Sequence, residues 1–262
     1  MLALIRGAGD LASGIALRLW RSGFQVVMTE LEHPMTIRRT VAFSEAVRAG
    51  EIRVENVTSR RAESAEHARK LLEAGILPVL VDPECRCRKE LQPQVLVDAI
   101  LAKKNLGTAI TDAPVVIGVG PGFRAGVDCH AVVETMRSHT LGRVIYEGAP
   151  LPNTNIPGLI GGFTGERVLR APDTGIFRTQ SRIGDHVQEG DAVGYVNGKA
   201  MVCTIGGVLR GLLADGTPVH QGLKAGDVDP RDDESYCGTS SDKALAIGGG
   251  VLEAALHFLK CI

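Results

Sequence analysis

The sequence lacks several features that would place it in a special class of protein. No apolar run reaches the ~18 residues of a membrane-spanning helix, so no membrane association is expected. Neither sign of charge dominates, because 29 basic and 30 acidic residues give a formal net charge of −1, which argues against nucleic acid as a partner. The N-terminus carries no basic segment or cleavage site of a signal peptide. The six cysteines are scattered along a chain too long to need disulfides, which favours a reduced, cytoplasmic setting.

Glycine is abundant, and its first cluster follows an apolar segment at the N-terminus. The cluster has the form G-x-G-x-x-A, which is typical of a dinucleotide-binding turn between a strand and a helix. Phosphate would lie at the helix N-terminus, where N–H groups and the helix dipole favour an anion. An acid 21 positions after the second glycine is placed to bind a ribose hydroxyl. The phosphate candidates are Gly7, Gly9, Asp10 and Ser13, and the ribose candidate is Glu30. The alternative is a packing turn without a nucleotide.

Residues 1–165 alternate strand-like apolar runs with amphipathic helical runs. Such alternation predicts an α/β domain with a Rossmann-like, mainly parallel sheet and helices on both faces. The predicted strands are 2–6, 25–29, 77–81, 94–98, 114–119 and 143–147, with a short extra strand at 52–54. The predicted helices are 11–22, 35–48, 63–74 and 128–138.

Several polar residues and glycines follow the predicted strands, and ligands of parallel sheets bind beyond the carboxyl ends of the strands. Asp98 ends one strand, and Lys103 lies in the basic loop after it. Gly120 and Gly122 follow the next strand and form a second candidate anion site with the helix expected after them. Arg38, just past the second strand, is placed to meet a 2′-phosphate or another anion, or is an exposed helix charge.

Cys85 is the candidate for covalent chemistry, with Asp82 beside it. It follows a strand end in the stretch Asp82-Pro-Glu-Cys85-Arg-Cys87-Arg-Lys. Neighbouring cations favour a thiolate, which is the nucleophilic and chalcogen-carrying form of cysteine. Such a thiolate would carry sulfur or selenium, ligate a metal, or form a reversible disulfide with Cys87. The alternative is a pair of incidental loop thiols.

The segment after Asp128 is predicted to be a helix because aspartate is a good N-cap before an apolar run. His130 and Glu134 are four residues apart and would share one face of that helix. They would form a metal or acid–base pair, or a local surface contact.

Residues 166–232 change to short strands and Gly-Asp turns, with an internal repeat at an offset of 32 residues. Gly175-Ile-Phe-Arg178 aligns with Gly207-Val-Leu-Arg210. The two halves resemble the barrel-sandwich hybrid of biotinyl and lipoyl domains, so a second, smaller β-rich module is expected. Lys199 lies on the hairpin where those domains carry their lysine, but the flanking residues of a carrier lysine are lacking. A structural module is therefore preferred to a covalent carrier.

Residues 233–262 are predicted to form a C-terminal helix that packs back on the first domain. Three consecutive glycines, 248–250, lie early in this helix, where each costs roughly 1 kcal/mol relative to alanine. A close approach of backbones is the expected reason for them.

Several multi-residue motifs together resemble the YqeB-type family of selenium-dependent molybdenum hydroxylase accessory proteins, nearly from end to end. The motifs are Gly7-Ala-Gly-Asp-Leu-Ala-Ser-Gly14, Thr40-Val-Ala-Phe-Ser-Glu-Ala46, Val81-Asp-Pro83, Val97-Asp-Ala-Ile-Leu-Ala-Lys103, Gly120-Pro-Gly-Phe123, Asp128-Cys-His-Ala-Val-Val-Glu134-Thr, Val208-Leu-Arg-Gly-Leu-Leu213, Gly226-Asp-Val-Asp-Pro-Arg231 and Ser241-Asp-Lys243 with Ala246-Ile-Gly-Gly-Gly-Val-Leu-Glu253-Ala.

The resemblance implies an accessory role in the maturation of a selenium-dependent molybdenum hydroxylase, whose apoprotein would be a partner. The ligand would be the dinucleotide form of the molybdenum cofactor, and Cys85 would mediate chalcogen insertion. Some relatives resemble a fusion with a domain like the xanthine dehydrogenase accessory protein XdhC, which would then act on this chain in trans. An NAD(P)-dependent oxidoreductase and a non-catalytic nucleotide-binding adaptor stay open as alternatives, as does a homo-oligomer.

Overall fold

A computed structural model describes residues 1–154 and 156–260, and the chain divides into two compact units. The first unit comprises Met1–Pro34, Ala42–Asn153 and Ser240–Ile262, and the second comprises Met35–Val41 and Thr154–Thr239. The predicted boundaries were 165 and 232, so the observed division is shifted and interleaved. Cys261 lies outside the described residues.

The first unit alternates strands and helices through its N-terminal half. Its strands are β1 (Leu2–Arg6), β2 (Gln25–Glu30), β3 (Glu51–Val54), β4 (Val57–Ala62), β5 (Leu77–Val81), β6 (Val95–Asp98), β7 (Val115–Val119), β8 (Ala131–Val133) and β9 (Val144–Ile145). Its helices are α1 (Asp10–Arg21), α2 (Glu45–Ala49), α3 (Ala65–Glu73), α4 (Arg88–Leu91) and α5 (Asp242–Phe258).

These strands form one mixed sheet in the order β3-β4-β5-β2-β1-β6-β7-β8-β9 among the described residues. The pairs from β4 to β8 are parallel, whereas β3 and β9 pair antiparallel at the two edges. The central strands are buried along their whole length, as the continuous apolar runs in the sequence predicted.

Two helices expected from the sequence are absent as such. Residues 35–48 contain only a 3₁₀ turn at Arg39–Val41 and the start of α2. Residues 128–138 contain β8 instead of a helix. The Asp128 carboxylate caps no helix, because its Oδ2 accepts the N–H of Arg124 at 2.7 Å in a tight loop. The β-branched residues that follow then pair with β7 in the sheet.

The last two connections between parallel strands differ from those of a doubly wound sheet. Residues 99–114 and 120–130, all of which the structure describes, connect β6 to β7 and β7 to β8 without any helix. Helix α5, from the end of the chain, packs on α1 and also contacts β7, β8 and β9. The face that a crossover helix would cover is therefore covered by a distant segment.

The second unit is made of short antiparallel strands. They are β10 (Val168–Arg170), β11 (Gly175–Thr179), β12 (His186–Val187), β13 (Ala192–Val196), β14 (Lys199–Val202), β15 (Gly207–Leu212), β16 (Pro218–Val219) and β17 (Lys224–Asp229).

These strands form two four-stranded sheets across the described residues, in the orders β10-β17-β15-β12 and β14-β13-β11-β16. The internal repeat maps onto equivalent strands, because β12 pairs with β15 while β16 pairs with β11. It accounts for three strands of each sheet, and β10 and β14 lie outside the aligned motifs. The core contains Phe177, Leu209 and Val228.

The fold-class prediction is therefore wrong in its named parts. The described residues form an α/β unit on a mixed sheet and a unit of two small antiparallel sheets. The sheet differs from a Rossmann-like sheet because two of its crossovers lack helices and both of its edge strands are antiparallel. The second unit differs from a barrel-sandwich hybrid because its sheets include strands outside the internal repeat. None of the described helices has the length and apolar character to cross a membrane.

Candidate functional site

Arg6 is the centre of a polar cluster at the carboxyl ends of β1, β5 and β6. Its Nη1 donates to Asp98 Oδ2 at 3.3 Å and to Thr108 Oγ1 at 3.1 Å. Its Nε and Nη2 both donate to the Pro83 carbonyl, at 3.3 and 3.2 Å. The Thr108 hydroxyl in turn donates to Asp98 at 2.6 Å. Arg6 thereby ties the loop after β5 to the end of β6.

The loop after β5 is shaped by Asp82, which starts it. The Asp82 carbonyl accepts the N–H of Cys85 at 3.0 Å, and its carboxylate Oδ2 accepts the N–H of Cys87 at 2.7 Å. Cys85 has a φ of +53°, a conformation that non-glycine residues seldom adopt. Such strain persists where surrounding contacts over-determine the backbone, and here Asp82 and Arg6 supply those contacts.

Cys85 and Cys87 are both buried and lie side by side. Cys85 is only 2% exposed, and both thiols belong to a core cluster with Leu91, Leu96 and Val116. The side chains of Cys85 and Asp82 are neighbours of the Cys87 thiol. The Cys85 thiol, burial and the Asp82 carboxylate together raise the pKa of Cys87 far above its ordinary value. Cys87 therefore keeps its proton at neutral pH.

Arg86 and Arg88, two of the cations near Cys85 in sequence, pair with nearby carboxylates. Arg86 is exposed and pairs with Glu84, with Nη2 and Oε2 2.5 Å apart. Arg88 donates through Nε to Asp112 at 3.1 Å and through Nη1 to the Cys85 carbonyl at 3.0 Å. Within residues 1–154 and 156–260, no hydrogen bond joins Arg88 Nη2 to the protein. Arg88 therefore contacts Cys85 at its backbone carbonyl.

A cavity of about 260 Å³ lies beside this loop. The residues that line it are Arg6, Glu84, Cys85, Arg88, Leu96, Leu106, Gly107, Thr108 and Asp112. Glu84, Leu106 and Gly107 are exposed, so the cavity opens to solvent on their side, whereas Cys85 lies at its buried wall. Asp82 and Asp98 lie outside this lining, but Asp82 accepts the N–H of Cys85 and Asp98 accepts a hydrogen bond from Arg6.

The glycine turn after β1 has the predicted conformation but is already hydrogen-bonded within the chain. Gly7 has a φ of +99° and Gly9 is the N-cap of α1, which Asp10 begins. Glu30 Oε2 accepts the N–H of Ala8 at 2.9 Å. Burial raises the pKa of Glu30, although hydrogen bonds from Leu31 and Ala8 oppose that effect. Glu30 was expected to bind a ribose hydroxyl, but its carboxylate instead accepts a backbone N–H of the glycine turn.

Ser13 is fully buried, and its hydroxyl is used twice within the unit. It donates to the Ala8 carbonyl at 3.2 Å and accepts the N–H of Phe43 at 2.8 Å. The side chain therefore fixes the glycine turn to the segment before α2. At the N-terminus of α1, Gly9 supplies no side-chain cap, and the Asp10 carboxylate accepts the N–H of Leu11 at 2.8 Å.

The second candidate anion site is a set of close backbone contacts. A Cβ on Gly122 (φ +111°) would lie 2.5 Å from the Lys104 Cα, and one on Gly120 (φ +79°) would lie 2.8 Å from Thr135 Oγ1. The Gly120 N–H also bonds the Val133 carbonyl. Lys103 lies on the exposed loop after β6 with a φ of +63°. These glycines are explained by loop packing.

His130 lies just before β8 and contacts residues of the same unit. Its Nδ1 accepts the N–H of Val116 at 3.0 Å, and its ring packs edge-on against Phe258. Glu134 is buried and accepts the N–H groups of Thr135 and Leu151. The predicted pair on one helix face is therefore absent, because the segment is a strand.

Arg38 and Lys199 belong to the second unit. The Arg38 guanidinium is buried and donates to the carbonyls of Tyr236 and Thr239. Lys199 follows the Asn-Gly turn of the β13–β14 hairpin, and its exposed ammonium pairs with Asp173 at 3.0 Å. Arg38 is therefore a structural residue of its unit rather than an exposed helix charge.

The sequence reasoning missed Arg6 and Thr108. Arg6 is the one charged residue in the apolar run Leu2–Arg6 and ends a strand that is buried throughout. That position was the available signal, because a buried charge requires a partner. Thr108 lies in a helix-free loop and gave no signal. Among the described residues, no cluster of three or more His, Cys, Asp or Glu has the arrangement of a metal site.

Comparison with known proteins identifies one informative relative. No family model matches the chain. The chain is 54% identical over 258 residues to the uncharacterized protein YqeB of Escherichia coli strain K12, a match that covers 98% of this chain and 48% of that protein. The chain therefore spans about half the length of the curated relative it matches.

Similarities to solved structures are weak. They include a succinylglutamate desuccinylase from Silicibacter sp. TM1040, with 13% identity, 87% and 84% coverage of the two chains and a TM-score of 0.25. A succinylglutamate desuccinylase/aspartoacylase from Rhodobacter sphaeroides has 14% identity, 87% and 84% coverage and a TM-score of 0.28. Likeness at this level carries no inference. The similarity to YqeB supports the assignment of this chain to the YqeB family.

Proposed function

We propose that the chain acts in the maturation of a selenium-dependent molybdenum hydroxylase, with Cys85 as the residue that carries the chalcogen. The observation that carries the proposal is the place of Cys85 at the buried wall of a cavity, with Arg88 hydrogen-bonded to its backbone carbonyl and a second buried thiol two residues away. A transferable sulfur or selenium atom requires a thiolate that is accessible to a donor and protected from bulk solvent. The cavity supports the proposal, because it opens to solvent on one side and is lined by Cys85 on its buried side.

The loading step is a chalcogen exchange between thiols. The Cys85 thiolate attacks the terminal atom of a donor persulfide or perselenide, R–S–SH or R–S–SeH. A bond forms from Cys85 Sγ to that atom, the bond within the donor breaks, and the donor leaves as its thiolate. No net oxidation or reduction occurs, because one sulfur–chalcogen bond replaces another.

The size of the cavity limits what reaches Cys85. Pockets that enclose small organic ligands have volumes of about 300–1,000 Å³, and this cavity has about 260 Å³. It has room for a terminal chalcogen and the reacting end of a donor or acceptor. A dinucleotide cofactor would therefore approach with its metal end and keep the remainder outside.

Binding of the dinucleotide end is the second part of the proposal and is assigned to the turn at Gly7–Asp10. The position of the turn at the N-terminus of α1 supports it, since helix N-termini favour anions, and a bound phosphate would have to compete with the Asp10 carboxylate for the N–H of Leu11. A titration of the purified protein with the molybdenum cofactor, NAD, NADP and CTP tests it. Binding of NAD or NADP alone would favour an oxidoreductase, and no binding would leave the turn as architecture.

The role of Cys85 is tested in cells by the Cys85→Ala variant. We expect loss of activity of the molybdenum hydroxylase while the accessory protein accumulates normally. The matched control is Cys129→Ala, which removes an equally buried thiol of the same core cluster. Circular dichroism of both purified variants checks the fold. Normal hydroxylase activity with Cys85→Ala would refute the proposal.

A further inference from the structure

We propose that Cys87 releases the chalcogen from Cys85 as a chalcogenide, by forming a Cys85–Cys87 disulfide, with Asp82 as the base. This inference rests on the proposed function, because it concerns the fate of the atom that Cys85 carries. It assigns roles to two side chains that a simple carrier does not need. A carrier requires one thiol, and this loop buries two in contact.

The loop geometry holds both sulfurs and the base in one turn. Asp82 fixes the backbone at both cysteines. Its carbonyl accepts the N–H of Cys85, and its carboxylate accepts the N–H of Cys87 at 2.7 Å. The Cys85 and Cys87 side chains are buried in the same core cluster, and Cys85 and Asp82 both raise the pKa of the Cys87 thiol. The Arg6 guanidinium anchors the same turn through the Pro83 carbonyl. A nucleophile, its target and a proton acceptor therefore lie within one backbone turn.

The resting pair is protected from premature reaction. Cys87 keeps its proton while Cys85 is unmodified, because the neighbouring sulfur, burial and the Asp82 carboxylate disfavour a negative charge on Cys87. When Cys85 carries a persulfide or perselenide, negative charge moves outward to the terminal atom. The proton of the Cys87 thiol is then removed more readily. The Cys87 sulfur can attack the Cys85 sulfur, because the terminal chalcogen on Cys85 is a leaving group.

The release step balances within the chain. Asp82 takes the Cys87 proton, and the Cys87 thiolate attacks Cys85 Sγ. The new Sγ–Sγ bond forms as the bond from Cys85 Sγ to the terminal atom breaks. The terminal atom leaves with the electron pair of that bond. It takes the proton from Asp82 and is released as HS⁻ or HSe⁻. The two cysteines are oxidised by two electrons, and the chalcogen is reduced by two.

The step has a consequence for turnover. Each chain delivers one chalcogenide and is left as a disulfide, so a dithiol reductant must restore the two thiols before another cycle. Without such a reductant, release stops after one equivalent. A plain carrier would instead hold its chalcogen until an acceptor arrives.

The inference is tested on the purified, fully reduced protein loaded with inorganic polysulfide. Excess polysulfide is removed by gel filtration, and no thiol is added. Free sulfide is then measured over time, and peptides are mapped by mass spectrometry without reduction. We expect one sulfide per chain and a Cys85–Cys87 disulfide in the wild type. A second equivalent of sulfide should appear only after a dithiol has restored the two thiols and the protein has been loaded again with polysulfide.

Three variants separate the roles of the residues. Cys87→Ser should keep the additional sulfur on Cys85, and its rate of sulfide release should be lower than that of the wild type by roughly tenfold or more. Asp82→Asn should also slow release, with a rate that recovers as pH rises, because hydroxide replaces the missing base. The control Cys129→Ser should behave as the wild type.

The outcomes distinguish this inference from the proposed function. If Cys85 takes up no sulfur in the wild type, both are overturned. If Cys85 is loaded but no Cys85–Cys87 disulfide accompanies release, or if Cys87→Ser releases sulfide at the wild-type rate, only the release mechanism is overturned. The wild-type measurement decides the point even if a variant fails to fold.

Discussion

The Arg6 guanidinium lies 3.3 Å from the Asp98 carboxylate, at the carboxyl ends of the adjacent parallel strands β1 and β6. The strand register places the two residues directly opposite each other, and both side chains are almost fully buried. The same guanidinium holds the Pro83 carbonyl. The ion pair is therefore the link between the middle of the sheet and the loop that carries the two cysteines.

Removal of Arg6 should be strongly destabilising. The Arg6→Met variant leaves the Asp98 charge buried without its counterion, and we expect a loss of about 3–5 kcal/mol in the free energy of unfolding. Denaturant unfolding measures the change. The control is Arg60→Met, since the Arg60–Glu51 pair is about half exposed and should contribute about 0–1 kcal/mol. Equal losses in the two variants would contradict the role given to Arg6.

The glycines of α5 should differ sharply from one another. A Cβ on Gly250 would lie 2.1 Å from the Gly142 carbonyl oxygen, whereas one on Gly249 would meet nothing within 4 Å. We expect Gly250→Ala to lower the free energy of unfolding by about 1–3 kcal/mol through overpacking. Gly249→Ala should raise it by up to about 1 kcal/mol, because alanine favours the helix. Thermal unfolding of both variants checks the contrast, and similar effects would refute the close approach.

Asp229 should contribute to the stability of the second unit in a pH-dependent way. Burial opposes its ionisation, but Arg231 and Arg210 outweigh burial and hold the pKa of Asp229 below its ordinary value of 3.8. Its contribution is therefore fully present above pH 3.8 and is lost as the pH falls through the lowered pKa. We expect Asp229→Asn to cost about 3–5 kcal/mol near neutral pH and progressively less in acid.

Denaturant unfolding of Asp229→Asn at a series of pH values measures this difference. The control is Asp215→Asn, because the Asp215–Arg178 pair is mostly exposed. That variant should change the free energy of unfolding by about 0–1 kcal/mol. A cost of Asp229→Asn that stays constant with pH would contradict the assignment.

Cys129 and Cys203 should resist alkylation in the folded protein. Burial raises the pKa of each thiol to about 11. At about pH 8 only roughly one thousandth of either thiol is ionised, and the thiolate is the reactive form. Iodoacetamide labelling followed by peptide mapping should leave both unmodified in buffer and label both in denaturant. Rapid labelling of either in buffer would show that it is not buried as described.

The sequence by itself determined the local elements that have strong patterns. The buried strand before Gly7, the helix after Gly9 and the strands β5 to β7 lie close to where apolar runs and turn residues predicted them. The loop at Asp82 and Cys85 was predicted from its position after a strand. The close approach of backbones at Gly248–Gly250 was predicted from the helical cost of glycine, and a Cβ on Gly248 or Gly250 indeed meets backbone atoms.

Only the tertiary structure decided which of these residues act together. The strand β8 replaced a predicted helix because Asp128 binds a loop N–H and the residues after it pair with β7. The crossovers around β7 lack helices because α5, more than a hundred residues away in the chain, packs there. Ser13 and Glu30 were assigned to a ligand by motif, yet their oxygens satisfy backbone N–H groups of the same unit. Local propensity cannot report such partners, because hydrogen bonds and burial between distant segments exist only after the chain has folded.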